Sequence, residues 1–155
     1  MTPEYAMSWQ QEFCKIVYDH TNGIFRWICH NLSISADDIT DGETLGFYIG
    51  DRLIGGLIYH NIRRGRDLWW TIYTVDKRWC TKKILKQIFG IAFDIYHVQR
   101  ISILVNSQNL PCLKLITRLG FKREGCMRAY DDNGADSYIY GLLKSENLWK
   151  GKINE

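Results

Sequence analysis

A few side chains have the chemistry to move a proton or hold an anion. His60 closes an apolar, strand-like run, and its ordinary pKa near neutrality suits it to take a proton from an incoming nucleophile. Tyr73, Tyr130 and Tyr138 are further proton handlers, although most tyrosines in so aromatic a chain belong to its core. A second group is cationic: Arg78, Lys82, Lys83 and Lys86 gather where a helix is expected to begin. The unpaired N–H groups and positive dipole end of a helix start there attract phosphate oxygens, and lysine or arginine adds charge-assisted contacts. His20, His30 and His97 fall in separate expected elements, and the cysteines lack Cys-x-x-Cys spacing, so the pattern suggests no metal site.

Periodicity supplies the elements that would position these groups. Phe13, Ile16 and Val17 recur at helical spacing in a stretch from Ala6 to Tyr18 that stops at Asn22-Gly23, and a second helix is expected over Ile24 to Leu32. The period then falls to two. Leu45 to Ile49 and Leu53 to Asn61 flank the turn Gly50-Asp51, and Arg63 to Arg66 turns the chain into Leu68 to Val75, an antiparallel meander. Gly55-Gly56 marks a bulge or a close backbone approach.

Asp76 or Thr81 can cap the next helix, whose buried stripe is expected to be Ile84, Ile88, Ala92 and Ile95. The short β-branched run Ile101 to Val105 reads as a central strand, parallel to the strand before the helix. Leu110 to Leu119 forms a last helix, and Phe121 to Tyr130 with Ser137 to Leu143 a closing hairpin. The fold class is α+β: a mixed, mostly antiparallel sheet with helices on both faces.

With 155 residues, 46% hydrophobic and 24% charged, the chain is expected to be one globular domain: 1–44 N-terminal helices and an acceptor-side loop, 45–147 the core sheet, 148–155 a tail. A net charge of +3 is too small to argue for nucleic acid, and no apolar run approaches the ~20 residues that span a bilayer. Five cysteines and an N-terminus without a basic-then-apolar leader read as a reduced, cytoplasmic protein.

The run Ile101-Ser-Ile-Leu-Val-Asn-Ser-Gln-Asn109, followed by Arg118-Leu-Gly-Phe-Lys-Arg-Glu-Gly125 and by Asp136-Ser-Tyr-Ile-Tyr-Gly-Leu-Leu-Lys-Ser-Glu146, resembles the Gcn5-related N-acetyltransferases, in particular the ribosomal-protein acetyltransferase branch. The resemblance covers about Gly46 to Glu146. It implies acetyl-CoA as co-substrate, an amine-bearing acceptor, a protein among the candidates, and direct attack on the thioester. It also implies a wedge between the strand at Trp69 to Val75 and the strand at Ile101 to Val105, with Tyr73, Thr74 and Val75 beside the pantetheine arm. Asn109 stands at the family's pantetheine-contacting Asn and Cys112 where a Ser often approaches the CoA sulfur, while the family's acid Tyr corresponds to Ile116.

The family's Gln/Arg-x-x-Gly-x-Gly/Ala phosphate loop is replaced by Asp76-Lys-Arg-Trp-Cys-Thr-Lys-Lys-Ile84, where Arg78, Thr81, Lys82 and Lys83 would take its place without glycine. Phage-type acetyltransferase-like proteins are similar in this respect. They keep open a second reading: a non-catalytic module whose basic residues, Arg63, Arg64, Arg66 and the Arg78 to Lys86 cluster, bind an acidic protein or a nucleic acid. A homodimer through the last strands is common among similar proteins.

Overall fold

The computed structural model describes residues 13–39 and 42–150. Seven strands, β1 Cys14–Tyr18, β2 Glu43–Ile49, β3 Arg52–Arg63, β4 Asp67–Thr74, β5 Arg100–Asn106, β6 Lys122–Met127 and β7 Ser137–Leu143, are joined in the order β1-β2-β3-β4-β5-β7-β6. The ladders are antiparallel at β1/β2, β2/β3, β5/β7 and β6/β7, and parallel at β4/β5. Among the described residues three α-helices, α1 Gly23–Leu32, α2 Lys82–Gly90 and α3 Leu110–Arg118, complete an α+β fold of the expected class. Among the described residues no helix is long and apolar enough to cross a membrane. The described residues divide into two compact units: one holds those up to Asn61 together with Thr71–Gln87, the other Ile62–Trp70 together with those from Ile88 onward.

In the first unit the helix expected from Ala6 to Tyr18 is corrected. Its Cys14–Tyr18 part is the edge strand β1, paired from Cys14↔Ile49 to Tyr18↔Leu45, while Ala6 to Glu12 lie outside the described residues. Over five residues, half-buried Cys14 and Ile16 alternate with exposed Lys15 and Val17, a period of two that the spacing of Phe13, Ile16 and Val17 imitates as helical. Asn22, with φ +63°, does not stop a helix but turns β1 into α1, whose Phe25 N–H donates to the Asp19 carboxylate at 2.9 Å.

Helix α1 lies close on the sheet because two facing positions are glycine. A Cβ on Gly46 would stand 2.7 Å from Ile24 Cδ1, and one on Gly56 2.6 Å from Ile28 Cδ1 and 2.9 Å from the Leu45 carbonyl oxygen. Ile24, Ile28, Cys29 and Ile58 make the buried cluster there, with Trp27, Tyr48, Leu53 and Tyr73 packed against it. The Gly55-Gly56 pair thus serves a close approach, and a bulge accompanies it: Phe47 pairs with Gly55 and Tyr48 with Leu53, leaving Ile54 as the extra residue.

The second unit is built on aromatic rings. Trp70 meets Phe89 at 4.8 Å and Phe121 at 5.7 Å between ring centroids. After α2 the chain winds as a π-turn over Ile91–Ile95. The wider turn rotates the following side chains around the axis. Ile95, expected in the buried stripe, is therefore 58% exposed, and Tyr96 is buried instead, with 3% exposure.

Candidate functional site

The site begins where β4 leaves its parallel neighbour. The β4/β5 ladder pairs Asp67↔Arg100 through Trp70↔Ile103, whereas β4 continues to Thr74. Thr71 is the first residue past the end of that ladder. On its other side β4 is held firmly: Val75 N–H donates to the Ile54 carbonyl at 2.8 Å, at the bulge in β3, and a Cβ on Gly55 would fall 2.8 Å from Thr74 Cγ2. Thr74 is half-buried and Val75 exposed.

His60, Thr71 and Tyr73 share the sheet face that carries α1, by the alternation that places Ile58 and Tyr73 in the α1 cluster. The Tyr73 ring meets Trp27 of α1 edge-on, with centroids 5.2 Å apart. His60 Nε2 lies 2.8 Å from Thr71 Oγ1, and His60 Nδ1 is buried with no hydrogen-bond partner among the described residues. Burial lowers the His60 pKa by penalising the imidazolium. The Asn61 side chain opposes this by raising it, without meeting hydrogen-bond geometry at Nδ1. The net shift is downward and favours the neutral imidazole, the form that accepts a proton. Asn61 itself has φ +49°, a left-handed kink inside β3.

Both expected caps are used, one after the other. The Asp76 carboxylate accepts from Arg78 N–H at 3.0 Å and opens a single 3₁₀ turn, Lys77–Trp79. Thr81 Oγ1 then accepts from Ile84 N–H at 3.2 Å at the start of α2. Trp79 is buried and stacks on Phe47 at 5.2 Å, with 11° between ring planes. An aromatic anchor thereby sets the course of this glycine-free loop.

Arg78 is clamped to Asp76, with Nη2 2.7 Å from Oδ2 and Nε 3.1 Å from both oxygens. These hydrogen bonds hold the Asp76 carboxyl down to about 2. Lys82 and Lys83 are exposed on the first turn of α2, where backbone N–H groups lack partners inside the helix. His60, Tyr73, Thr74, Val75, Arg78, Thr81, Lys82 and Lys83 all belong to the first unit.

Asn109 and Cys112 belong to the second. Asn109 caps α3, its Oδ1 accepting from Cys112 N–H at 3.3 Å, with Pro111 in the first turn. Burial pushes the Cys112 thiol up to about 11, so it is an S–H rather than a nucleophilic thiolate at neutral pH. Ile116, at the family's tyrosine position, is buried. The loop before α3 is tied to the β6–β7 hairpin: Asp131 Oδ2 accepts from Asn106 Nδ2 at 2.6 Å and from Ser137 Oγ at 2.8 Å. Among the described residues no group of three or more His, Cys, Asp or Glu could hold a metal ion.

Sequence reasoning missed Thr71, the Asp76–Arg78 clamp and the Asn106–Asp131–Ser137 link. Period-two alternation from Tyr73 back to Thr71 was the available signal for the first. The link joins residues up to 31 positions apart and leaves no local trace.

No family model matches the chain, and a search of curated proteins finds no match. Solved structures do align. Mutant forms of the spermidine/spermine N-acetyltransferase SpeG from Vibrio cholerae share 18% identity over 87% of this chain and 97% of theirs, with a TM-score of 0.67. The dodecameric spermidine N-acetyltransferase of the same organism, in an intermediate state, gives 15% identity, 87% and 96% coverage and a TM-score of 0.68. A probable acetyltransferase gives 21% identity over 69% of this chain with a TM-score of 0.59. This chain spans 63% of that protein's length, less than two-thirds. At these identities the likeness shows a shared fold.

Proposed function

We propose that this chain, having the fold of N-acetyltransferases, transfers an acetyl group from acetyl-CoA to a primary amine by direct attack. The observation that carries the reading is the end of the parallel ladder at Trp70, which leaves Thr71 to Thr74 beyond it on the strand where the fold's relatives would be expected to hold the pantetheine arm. Backbone groups of Tyr73, Thr74 and Val75 would align the thioester. Lys82 and Lys83, with the first-turn amides of α2 and the partly neutralised Arg78, would hold the phosphates. Asn109 would contact the pantetheine, and the protonated thiol of Cys112 would offer a hydrogen bond near the sulfur.

The incoming ammonium must lose a proton before it attacks, and neutral His60 is the base, with the Tyr73 hydroxyl an alternative proton carrier. Amide N–H groups past the end of the ladder would polarise the acetyl carbonyl, and CoA would leave as a thiol. The likeness to the SpeG structures supports a polyamine or another flexible primary amine as the acceptor class.

One observation favours a second reading, a non-catalytic binding module of the phage type. Thr81 Oγ1 occupies the helix cap and Asp76 engages Arg78, so two groups that would face a diphosphate are already committed. Calorimetric titration with acetyl-CoA, followed by thiol release with a panel of amines, decides between them. Micromolar to sub-millimolar binding with amine-dependent thiol release supports the enzyme; no heat up to millimolar acetyl-CoA supports the module.

A further inference from the structure

We infer that Thr71 is a positioning residue: it fixes the tautomer of His60 so that Nε2 carries the hydrogen and Nδ1 keeps the lone pair and is the basic atom of the ring. This rests on the acetyltransferase reading for its role in turnover, while the tautomer itself does not.

Neutral imidazole has one N–H and one lone pair, and the hydrogen bond made by one nitrogen decides what the other can do. Here Nε2 is 2.8 Å from Thr71 Oγ1, and Nδ1 is buried with no hydrogen-bond partner. A hydroxyl can serve either tautomer, so the orphaned nitrogen settles the choice. A buried N–H without an acceptor is rarer in folded proteins than a buried acceptor without a donor. The favoured arrangement is Nε2–H donating to Thr71 Oγ1, with a bare lone pair on Nδ1.

The competing group is the Asn61 side chain, which favours the charged ring and could draw a proton onto Nδ1. Asn61 sits at the left-handed kink of β3 and falls short of hydrogen-bond geometry there, whereas Thr71 meets it. Position matters as much as chemistry. Thr71 follows Trp70, the last paired residue of the β4/β5 ladder, and shares its face with Tyr73, so the residue that bonds His60 Nε2 stands on the stretch of β4 that no longer pairs with β5.

The test uses the full chain labelled with ¹⁵N-histidine. Long-range proton–nitrogen correlation at pH 7.5 to 8 reports the tautomer of each ring, and His60→Gln identifies the His60 signals. Wild type is expected to show His60 as the Nε2–H tautomer, Thr71→Val to shift it towards Nδ1–H, and Thr71→Ser to restore it. A wild-type Nδ1–H ring, or a tautomer unmoved in Thr71→Val, overturns the inference.

Turnover supplies the second arm. Thr71→Val is expected to lower kcat about tenfold at an unchanged KM for acetyl-CoA, with Thr71→Ser within about twofold of wild type. An active wild type whose kcat survives Thr71→Val defeats the role of Thr71 and leaves the enzyme assignment standing. A wild type without acetyl transfer defeats the enzyme assignment and leaves the tautomer to the spectra.

Discussion

Arg100 reaches over β7 to Glu124, its Nη2 2.7 Å from Glu124 Oε1, and the strand between them is crossed at Gly141. Arg100 lies on β5 and Glu124 on β6, where the register passes from Arg123↔Tyr140 to Gly125↔Ile139 and leaves Glu124 as the bulged residue. Arg100 also donates from Nε to Ser102 Oγ at 3.0 Å. Arg100 of β5 and Glu124 of β6 are therefore joined across Gly141 of β7 in one ion pair, a device that holds three strands together rather than a catalytic one.

Two glycine substitutions should differ sharply. A Cβ at Gly141 would lie 2.6 Å from Arg100 Nη2 and 2.7 Å from the Glu124 carboxylate oxygens, all ends of flexible side chains that can swing away. Gly141→Ala should then cost about 1 kcal/mol or less, the worth of a half-exposed ion pair. A Cβ at Gly56 meets the Leu45 carbonyl and the fully buried Ile28, neither of which can yield easily. Gly56→Ala should cost about 2 kcal/mol or more. Urea unfolding of both variants measures the difference, and equal costs would contradict the account.

Stability should depend on pH through His60. Its folded pKa lies below the ordinary 6.5, so between the two values the unfolded chain binds more protons. Stability is full above about pH 6.5 and is lost as the pH falls towards the folded value. His60→Gln should flatten that limb of a thermal-melt series. A separate loss belongs to Asp76, held at about 2 by Arg78, and appears only between roughly pH 4 and pH 2.

The lysines at the start of α2 should matter more to acetyl-CoA than Arg78 does. Lys82→Ala with Lys83→Ala should weaken binding about tenfold or more and reduce its salt dependence. Arg78→Ala should do less, because Asp76 already neutralises that guanidinium. Calorimetry at two ionic strengths checks the order, and a larger loss at Arg78 would reverse it.

Thiol reactivity should separate the cysteines. With a pKa of about 11, Cys112 is about 0.1% thiolate at pH 8. Exposed Cys80 and Cys126 should take iodoacetamide well before Cys112 and buried Cys29. Mass spectrometry of a timed labelling reaction reads the sequence of modification directly.

Much of this architecture is visible in the chain itself. β7 occupies Ser137–Leu143 as its pattern predicts, and the β-branched run at Ile101 to Val105 is the heart of β5. β7 runs for seven residues after a clear turn, and the run at Ile101 to Val105 is apolar and short, the pattern of a buried strand. β1 misleads because its few residues mix apolar and polar types, too short an alternation to separate 3.6 from 2, and its partner Gly46-Phe47-Tyr48 lies some thirty positions away. The reversal of Ile95 and Tyr96 is invisible because apolar residues stand at both positions, and only backbone winding chooses between them. At the site, residue type pointed to His60 and the basic helix start. The partners that set their protonation and charge, Thr71 and Asp76, are ordinary polar residues whose importance comes from where the folded backbone puts them.

The wide turn at Ile91–Ile95 fixes the number of residues the chain must contain there. Removing one would let the winding revert to 3.6 residues per turn, swinging Ile95 inward and Tyr96 into water, and would take from Gly65 N–H the Tyr96 carbonyl it reaches at 2.9 Å. A point substitution at the same place leaves that phase intact, so this segment should tolerate changes of spelling far better than the loss of a single letter.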